Sequence, residues 1–298
     1  MENKRLFISF SGGETSALMT KMLLESKSIR ERYAEIVIGF SNTGQENEQT
    51  LEFVDRCDKA FGFGVTWIEA LPTRGRGQIV HRIVSFETAS RKGEPFKQMI
   101  SLYGIPNVDF PMCTRELKTR PMTDFIRRGL GWEPGTYDTA IGIRADESHR
   151  RGANAVKNRL VYPLMDWWPM GKPDVNTFWR DQPFRLELAG YQGNCKTCWK
   201  KSTRKLLTIM EEAPRAFDFF EEMEEKYAGV GPEFKQLHKY PEGYRRTFLR
   251  QHVTIKELRE MHKAGGWEMA ENDAVVYAGK QLSLDIDDGC VESCEVNF

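Results

Sequence analysis

Residues 7–16 read FISFSGGETS. An apolar run ends at Phe10, hydroxyl residues and two glycines follow at once, and beyond them TSALMTKMLLES carries apolar residues at helical spacing. A buried strand, a glycine turn and a helix in immediate succession open a βα unit. Glycine lets the backbone come close to a ligand, and the N-terminus of the following helix offers N–H groups and partial positive charge. Ser9, Ser11, Gly12, Gly13, Thr15 and Ser16 are therefore candidate phosphate-binding residues. The same residues also fit a tight turn with an N-cap serine. Neither GxxxxGK[ST] nor GxGxxG is present.

Working outward, the first strand spans 5–10 and its helix runs to about Ser26. EIVIGFSN (35–42) reads as a second strand, ENEQTLEFVDRCDKAFG (46–62) as a second helix and GVTWIEA (64–70) as a third strand. This alternation predicts right-handed βαβ crossovers and a parallel, Rossmann-like α/β sheet flanked by helices. Residues 71–110 read as a surface insert with a short helix near 96–103. CTRELKTRPMTDFIRRGL (113–130) opens another helix, and YDTAIGIRADE (137–147) is a strand ending in a charged loop. RLVYPLMDW (159–167) is a short extended run, and a short helix falls within 172–184. Near residue 200 the composition shifts to charged helical segments (203–227 and 254–264). The expected organisation is an α/β domain over 1–200 and a helical extension over 201–298 that need not be independent.

The 298 residues include 43 Lys and Arg against 43 Asp and Glu. With zero formal charge, no global field draws the chain to nucleic acid or to an anionic membrane. The N-terminus has no apolar core of a signal peptide, and no apolar run approaches the ~20 residues of a membrane span. The expectation is a cytoplasmic protein with no membrane partner. Six cysteines in such a chain read as structural, redox or metal thiols rather than a disulfide framework.

SGGETS resembles the SGGxDS pyrophosphate loop of the PP-loop ATP pyrophosphatases, the adenine nucleotide α-hydrolase-like (HUP) superfamily. The motifs that follow are FSNTGQENEQTLEFV, CTRELKTRP, GIRADE with Arg150, YPLMDW, DVNTFW and GNCKTC. Their order is similar to that of the branch containing phosphoadenylyl-sulfate (PAPS) reductases and their bacterial and phage relatives, over roughly residues 5–205. The resemblance implies an adenine-nucleotide site for ATP or PAPS, with Mg²⁺ beside the phosphates. It implies an enzyme of sulfur metabolism. One branch of that chemistry reduces a sulfonucleotide with a thioredoxin-like reductant or transfers sulfur. The other adenylates a nucleic acid or small molecule, releasing pyrophosphate, so that a sulfur donor can thiolate it. A nucleotide-binding regulatory module is the non-catalytic alternative. Two departures stand out. Thr15 replaces the family Asp, which lies near phosphates and metal, and the tail reads DDGCVESCEVNF, with Cys290 and Cys294, where PAPS reductases carry an ECG-type nucleophile.

Ser41, Asn42 and Thr43 end the second strand at the crevice where ligands of open α/β sheets bind. By resemblance they touch ribose or adenine; the alternative is an Asx turn. Gly142 joins the nucleotide set by resemblance. Arg115 and Lys118, three apart, are expected to share a helix face as an anion site, with a solvated basic helix as the alternative. Arg144 is the best candidate for a phosphate or transition-state cation, and Asp146 for holding Mg²⁺ or orienting Arg144. Cys113 at a helix start and the CxxC of Cys195 and Cys198 are compatible with metal, redox chemistry or neither. By resemblance they would bind three irons of a [4Fe–4S] cluster, with the fourth iron open or capped by Cys290 or Cys294; a four-thiolate zinc site is the competing reading. Cys57, inside a helix, reads as a core thiol. The five histidines show no ligand spacing. WKKSTRK (199–205) is a basic run, read as a solvated face or a small nucleic-acid footprint.

Overall fold

Six strands in the order β4-β3-β2-β1-β5-β6 form the sheet of this computed structural model, which describes residues 4–73, 79–231 and 243–275. Cys290, Cys294 and His238 lie outside the described residues. β1 (Arg5–Ser9) occupies the centre, parallel to β2 (Glu35–Asn42) on one side and to β5 (Tyr137–Ile141) on the other. β3 (Val65–Pro72) and the short β6 (Leu160–Val161) continue the parallel pairing outward. The chain is thus a mostly parallel, Rossmann-like α/β sheet flanked by helices. The stretch expected as an irregular insert begins with an antiparallel edge strand, β4 (Ile79–Val84), paired to β3. Its mixed, half-exposed side chains gave no clear period.

β1 shows why the first strand sits centrally. Leu6 and Ile8 pack into one core cluster and Phe7 into another on the opposite face. A strand buried on both faces needs helices on both, which parallel crossovers supply. α1 (Glu14–Glu25), α2 (Lys27–Arg32) and α3 (Glu48–Phe61) follow the first two strands. α4 is Glu94–Tyr103. Next, α5 (Met112–Thr114) and α6 (Arg120–Asp124) are joined by a π-helical turn, Arg115–Thr119, and continue into a second, Phe125–Gly129. α7 is Lys172–Arg180.

The remaining helices are α8 (Thr203–Glu212), α9 (Asp218–Tyr227) and α10 (Ile255–Ala264). Their core cluster joins Leu206, Phe220, Phe248 and Leu258 to Ala70, Phe96 and Leu117, so residues on both sides of position 200 share one interior. Among the described residues, no helix is long and apolar enough to cross a membrane.

Candidate functional site

The chain leaves β1 toward β2 and β3 and returns on the other side as β5, so β1 and β5 flank the point where strand order reverses. Ligands of open α/β sheets bind at such a point, outside the carboxyl ends of the strands. Here lies the glycine turn. Gly12 has φ +83°, and a Cβ there would stand 2.9 Å from Thr50 Cγ2 and 3.0 Å from Phe40 Cε2. Backbone conformation and packing therefore both demand glycine. Ser16 is fully buried and knots the turn: its hydroxyl donates to the Gly13 carbonyl (2.9 Å), lies 2.8 Å from Ser11 Oγ and accepts from the Ser11 N–H (3.2 Å). Gly142 passes the same point, where a Cβ would meet Ser16 Cα at 2.9 Å. Gly13 is the N-cap of α1 and offers no side chain to the first-turn N–H groups.

Arg144, buried, reaches across from β5. Its Nη1 donates to Thr15 Oγ1 (3.3 Å) and its Nε to Asp146 Oδ1 (2.9 Å), while Glu147 lies 3.6 Å from Nη1. Asp146 also accepts from the Lys172 N–H (3.1 Å). Thr15 thus presents a hydroxyl that faces a guanidinium. Ser11, Gly13, Thr15, Lys172, Arg185 and Asn194 help to line a cleft of about 580 Å³, mouth included. Glu14, also at the cleft, is held by Arg185 (both contacts 3.0 Å) and by the Leu186 N–H.

A second, smaller cavity lies on the far side of residues 193–198. Cys113, Cys195 and Cys198, far apart in sequence, all line it, together with Thr43, Lys118 and Thr197. Segment 193–198 is shared: Gly193 and Asn194 face the first cleft, Cys195, Thr197 and Cys198 the second. Asn194 Nδ2 donates to the Ser11 carbonyl (2.8 Å), Asn47 bonds the carbonyls of Gly193 and Asn194 (both 2.8 Å), and Lys196 N–H donates to Gln45 O (3.0 Å). Apolar rings of Phe96, Phe220 and Phe248 close the cavity, the last two stacked with centroids 3.6 Å apart. Among the described residues, no group of three His, Cys, Asp or Glu side chains is gathered to hold a single metal ion.

The other candidates serve the walls. Ser9 Oγ contacts Met122 Sδ (3.9 Å), and Ser41 Oγ donates to the Leu117 carbonyl (2.9 Å). Asn42 makes an Asx turn to the Gly44 N–H and donates to Glu69 (2.6 Å) and Ser90 O (2.8 Å). Thr43 donates to Glu46 through its N–H (2.9 Å) and its hydroxyl (2.8 Å). The expected shared face of Arg115 and Lys118 is corrected. The wide π turn separates them, leaving Arg115 64% exposed beside Glu116 and Lys118 8% exposed at 3.6 Å from Glu46. The basic run is likewise not a solvated face at Lys201 and Lys205, both buried; Lys201 Nζ donates to Cys195 O (2.7 Å). Cys57 is a core thiol, its pKa pushed up by burial.

Sequence reasoning missed Glu46 and Glu69, both buried, and Asn194 and Arg185. Glu46 receives Thr43, faces Lys118 and lies 4.0 Å from Cys195 Sγ. Nothing in the local pattern separates it from Glu48 on the helix surface; only the docking of the CxxC segment does.

No model of a known protein family matches the chain. The chain is 30% identical to the uncharacterized nin region protein ORF290 of Escherichia phage lambda, over 97% of this chain and 94% of that protein. It is also 22% identical to an uncharacterized protein of Methanocaldococcus jannaschii, over 81% of this chain but 44% of that protein.

Proposed function

The chain belongs to the family of the nin region protein ORF290 of Escherichia phage lambda, and from its motifs and the geometry of its cleft we propose that it is a PAPS reductase-like PP-loop enzyme that binds an adenine nucleotide and transfers sulfur. The observation that carries the reading is the shared segment. One stretch of chain, 193–198, is at once the rim of the cleft over the glycine turn and the wall that brings Cys195 and Cys198 to Cys113. A phosphate at the cleft would meet the N–H groups of the α1 N-terminus and the hydroxyls of Ser11 and Thr15, with the Arg144 guanidinium directly behind Thr15. In the adenylating form, an acceptor oxygen attacks the α-phosphorus, the bond to the β-phosphate breaks and pyrophosphate leaves. A sulfide-level donor then displaces AMP from the acceptor. Arg144 and the turn N–H groups stabilise charge on the phosphoryl oxygens.

The donor set also fits an iron–sulfur centre. Three thiols at one cavity are soft ligands of the kind an iron–sulfur cluster takes, with a thiolate zinc site as the competing reading. Cys113, Cys195 and Cys198 would hold it, and it would supply a site for sulfide-level sulfur or for electrons. Lys118 and Glu46 lie against that cavity as a charge pair within the protein.

Thr15 favours a second reading, nucleotide binding without cleavage, because a hydroxyl facing a guanidinium takes the position where the resembling family's Asp would help to hold Mg²⁺. Product analysis separates the readings. Pyrophosphate from Mg-ATP supports adenylation. Adenosine 3′,5′-bisphosphate from PAPS supports reduction or sulfur transfer from the sulfonucleotide. Binding with neither product supports the regulatory module and contradicts the enzyme reading.

A further inference from the structure

Two buried polar atoms in the three-thiol cavity have no hydrogen-bond partner among the described residues: Thr197 Oγ1 and Trp199 Nε1. Thr197 is 1% exposed and Trp199 7% exposed, and both residues line the cavity beside Cys195 and Cys198. An unpaired buried donor costs free energy, and natural proteins rarely keep one without a use. Here two fall within three residues of each other, in a segment pinned at its other end by Asn194 and Lys196. The indole N–H can only donate, so what it awaits is an acceptor. The thiols and aromatic rings of the cavity wall are weak acceptors, and Thr43, Gln45, Thr114 and Lys118 line it as well.

We infer that Trp199 Nε1–H and Thr197 Oγ–H are positioning and tuning donors, directed to the acceptor sulfur atoms of the group that Cys113, Cys195 and Cys198 hold. This rests on the three-thiol reading of the proposed function. Hydrogen bonds to the sulfurs of an iron–sulfur centre stabilise its more negative, reduced form and raise its reduction potential. The donors belong to the loaded protein and are an expense in the empty one.

The test uses the full chain, reconstituted anaerobically with iron and sulfide, and the conservative variants Trp199→Phe and Thr197→Val. Each keeps the ring or the branched shape and removes the donor. Iron-to-protein ratio, midpoint potential and the melting temperature of the iron-free protein are read. The expected result is iron uptake by the wild type and by both variants, a lower potential in each variant, and iron-free variants that melt no lower than the iron-free wild type. Unchanged potentials in loaded variants, or iron-free variants that melt lower, would overturn the donor inference alone. No iron uptake by the wild type, or zinc in its place, would overturn the cluster reading and this inference with it.

Discussion

The glycine turn and the CxxC segment face each other across a few ångströms, yet they are built by opposite means. The turn is held by its own neighbours: Ser16 knots Ser11 and Gly13 within six residues. The CxxC segment is held by distant parts of the chain, through Gln45, Asn47 and Ser11, and Thr197 Oγ1 within it and Trp199 Nε1 just beyond it have no hydrogen-bond partner among the described residues. A locally closed structure is rigid before any ligand arrives. A structure closed by tertiary contacts, with donors left over, is completed by what it binds. In the function proposed above, the turn holds the nucleotide and the segment carries the chemistry beside it.

The largest effect should come from breaking the rigid partner. Gly12→Ala places a Cβ 2.9 Å from Thr50 at a left-handed φ and is expected to lower stability by about 3 kcal/mol. Chemical denaturation measures it; a loss under ~1 kcal/mol would mean that the turn is not closed as described. Arg144→Ala removes the cation that bridges β5 to Thr15, and nucleotide affinity should fall by about 30-fold, near 2 kcal/mol for a charged hydrogen bond. An unchanged affinity in calorimetry would take Arg144 out of the site.

Weaker changes test the tertiary partner. Asn194→Ala cuts the link between the two halves and should lower stability by about 1 kcal/mol while weakening nucleotide binding. If folding and binding are both unaffected, the segment does not join the two cavities. Glu224 ties α9 to the cavity wall by accepting the N–H groups of Phe248 (2.7 Å) and Ile255 (2.8 Å), and burial pushes its pKa up to about 7. The native state keeps this proton until pH approaches 7, whereas the unfolded chain releases it near ~4.3. The contribution of this group to stability is therefore full below the lower value and is lost as pH rises toward 7. Glu224→Gln should flatten that slope; an identical slope would assign the pH dependence elsewhere. The smallest effect belongs to Arg115→Ala. Its exposed pair with Glu116 should be worth under ~0.5 kcal/mol, and nucleotide affinity should stay the same. A large change would restore Arg115 to the anion site.

The same contrast explains what was legible in the sequence. β1, the turn and α1 could be read because apolar period, glycine and hydroxyls lie side by side in residues 5–25. EIVIGFSN matched β2 for the same reason. The π turn at Arg115–Thr119 could not be read, since a helical pattern does not announce a widened turn, and the expected pairing of Arg115 with Lys118 failed with it. The meeting of Cys113 with the CxxC pair was expected from resemblance, not from spacing. Glu69 and Asn194, and Glu46 in its contacts with Lys118 and Cys195, gain their roles from long-range docking, which no local signal marks.

The central claim is that the turn at residues 10–13 is an adenine-nucleotide site. It is tested most directly by melting the wild type and Arg144→Ala with Mg-ATP and, separately, with PAPS. At ~100 times its Kd a ligand stabilises the folded state by about 2.7 kcal/mol, a visible rise in Tm. The account predicts that at least one of the two nucleotides raises the Tm of the wild type and that the rise shrinks in Arg144→Ala. No shift with either nucleotide at millimolar concentration, or equal shifts in both proteins, would contradict it.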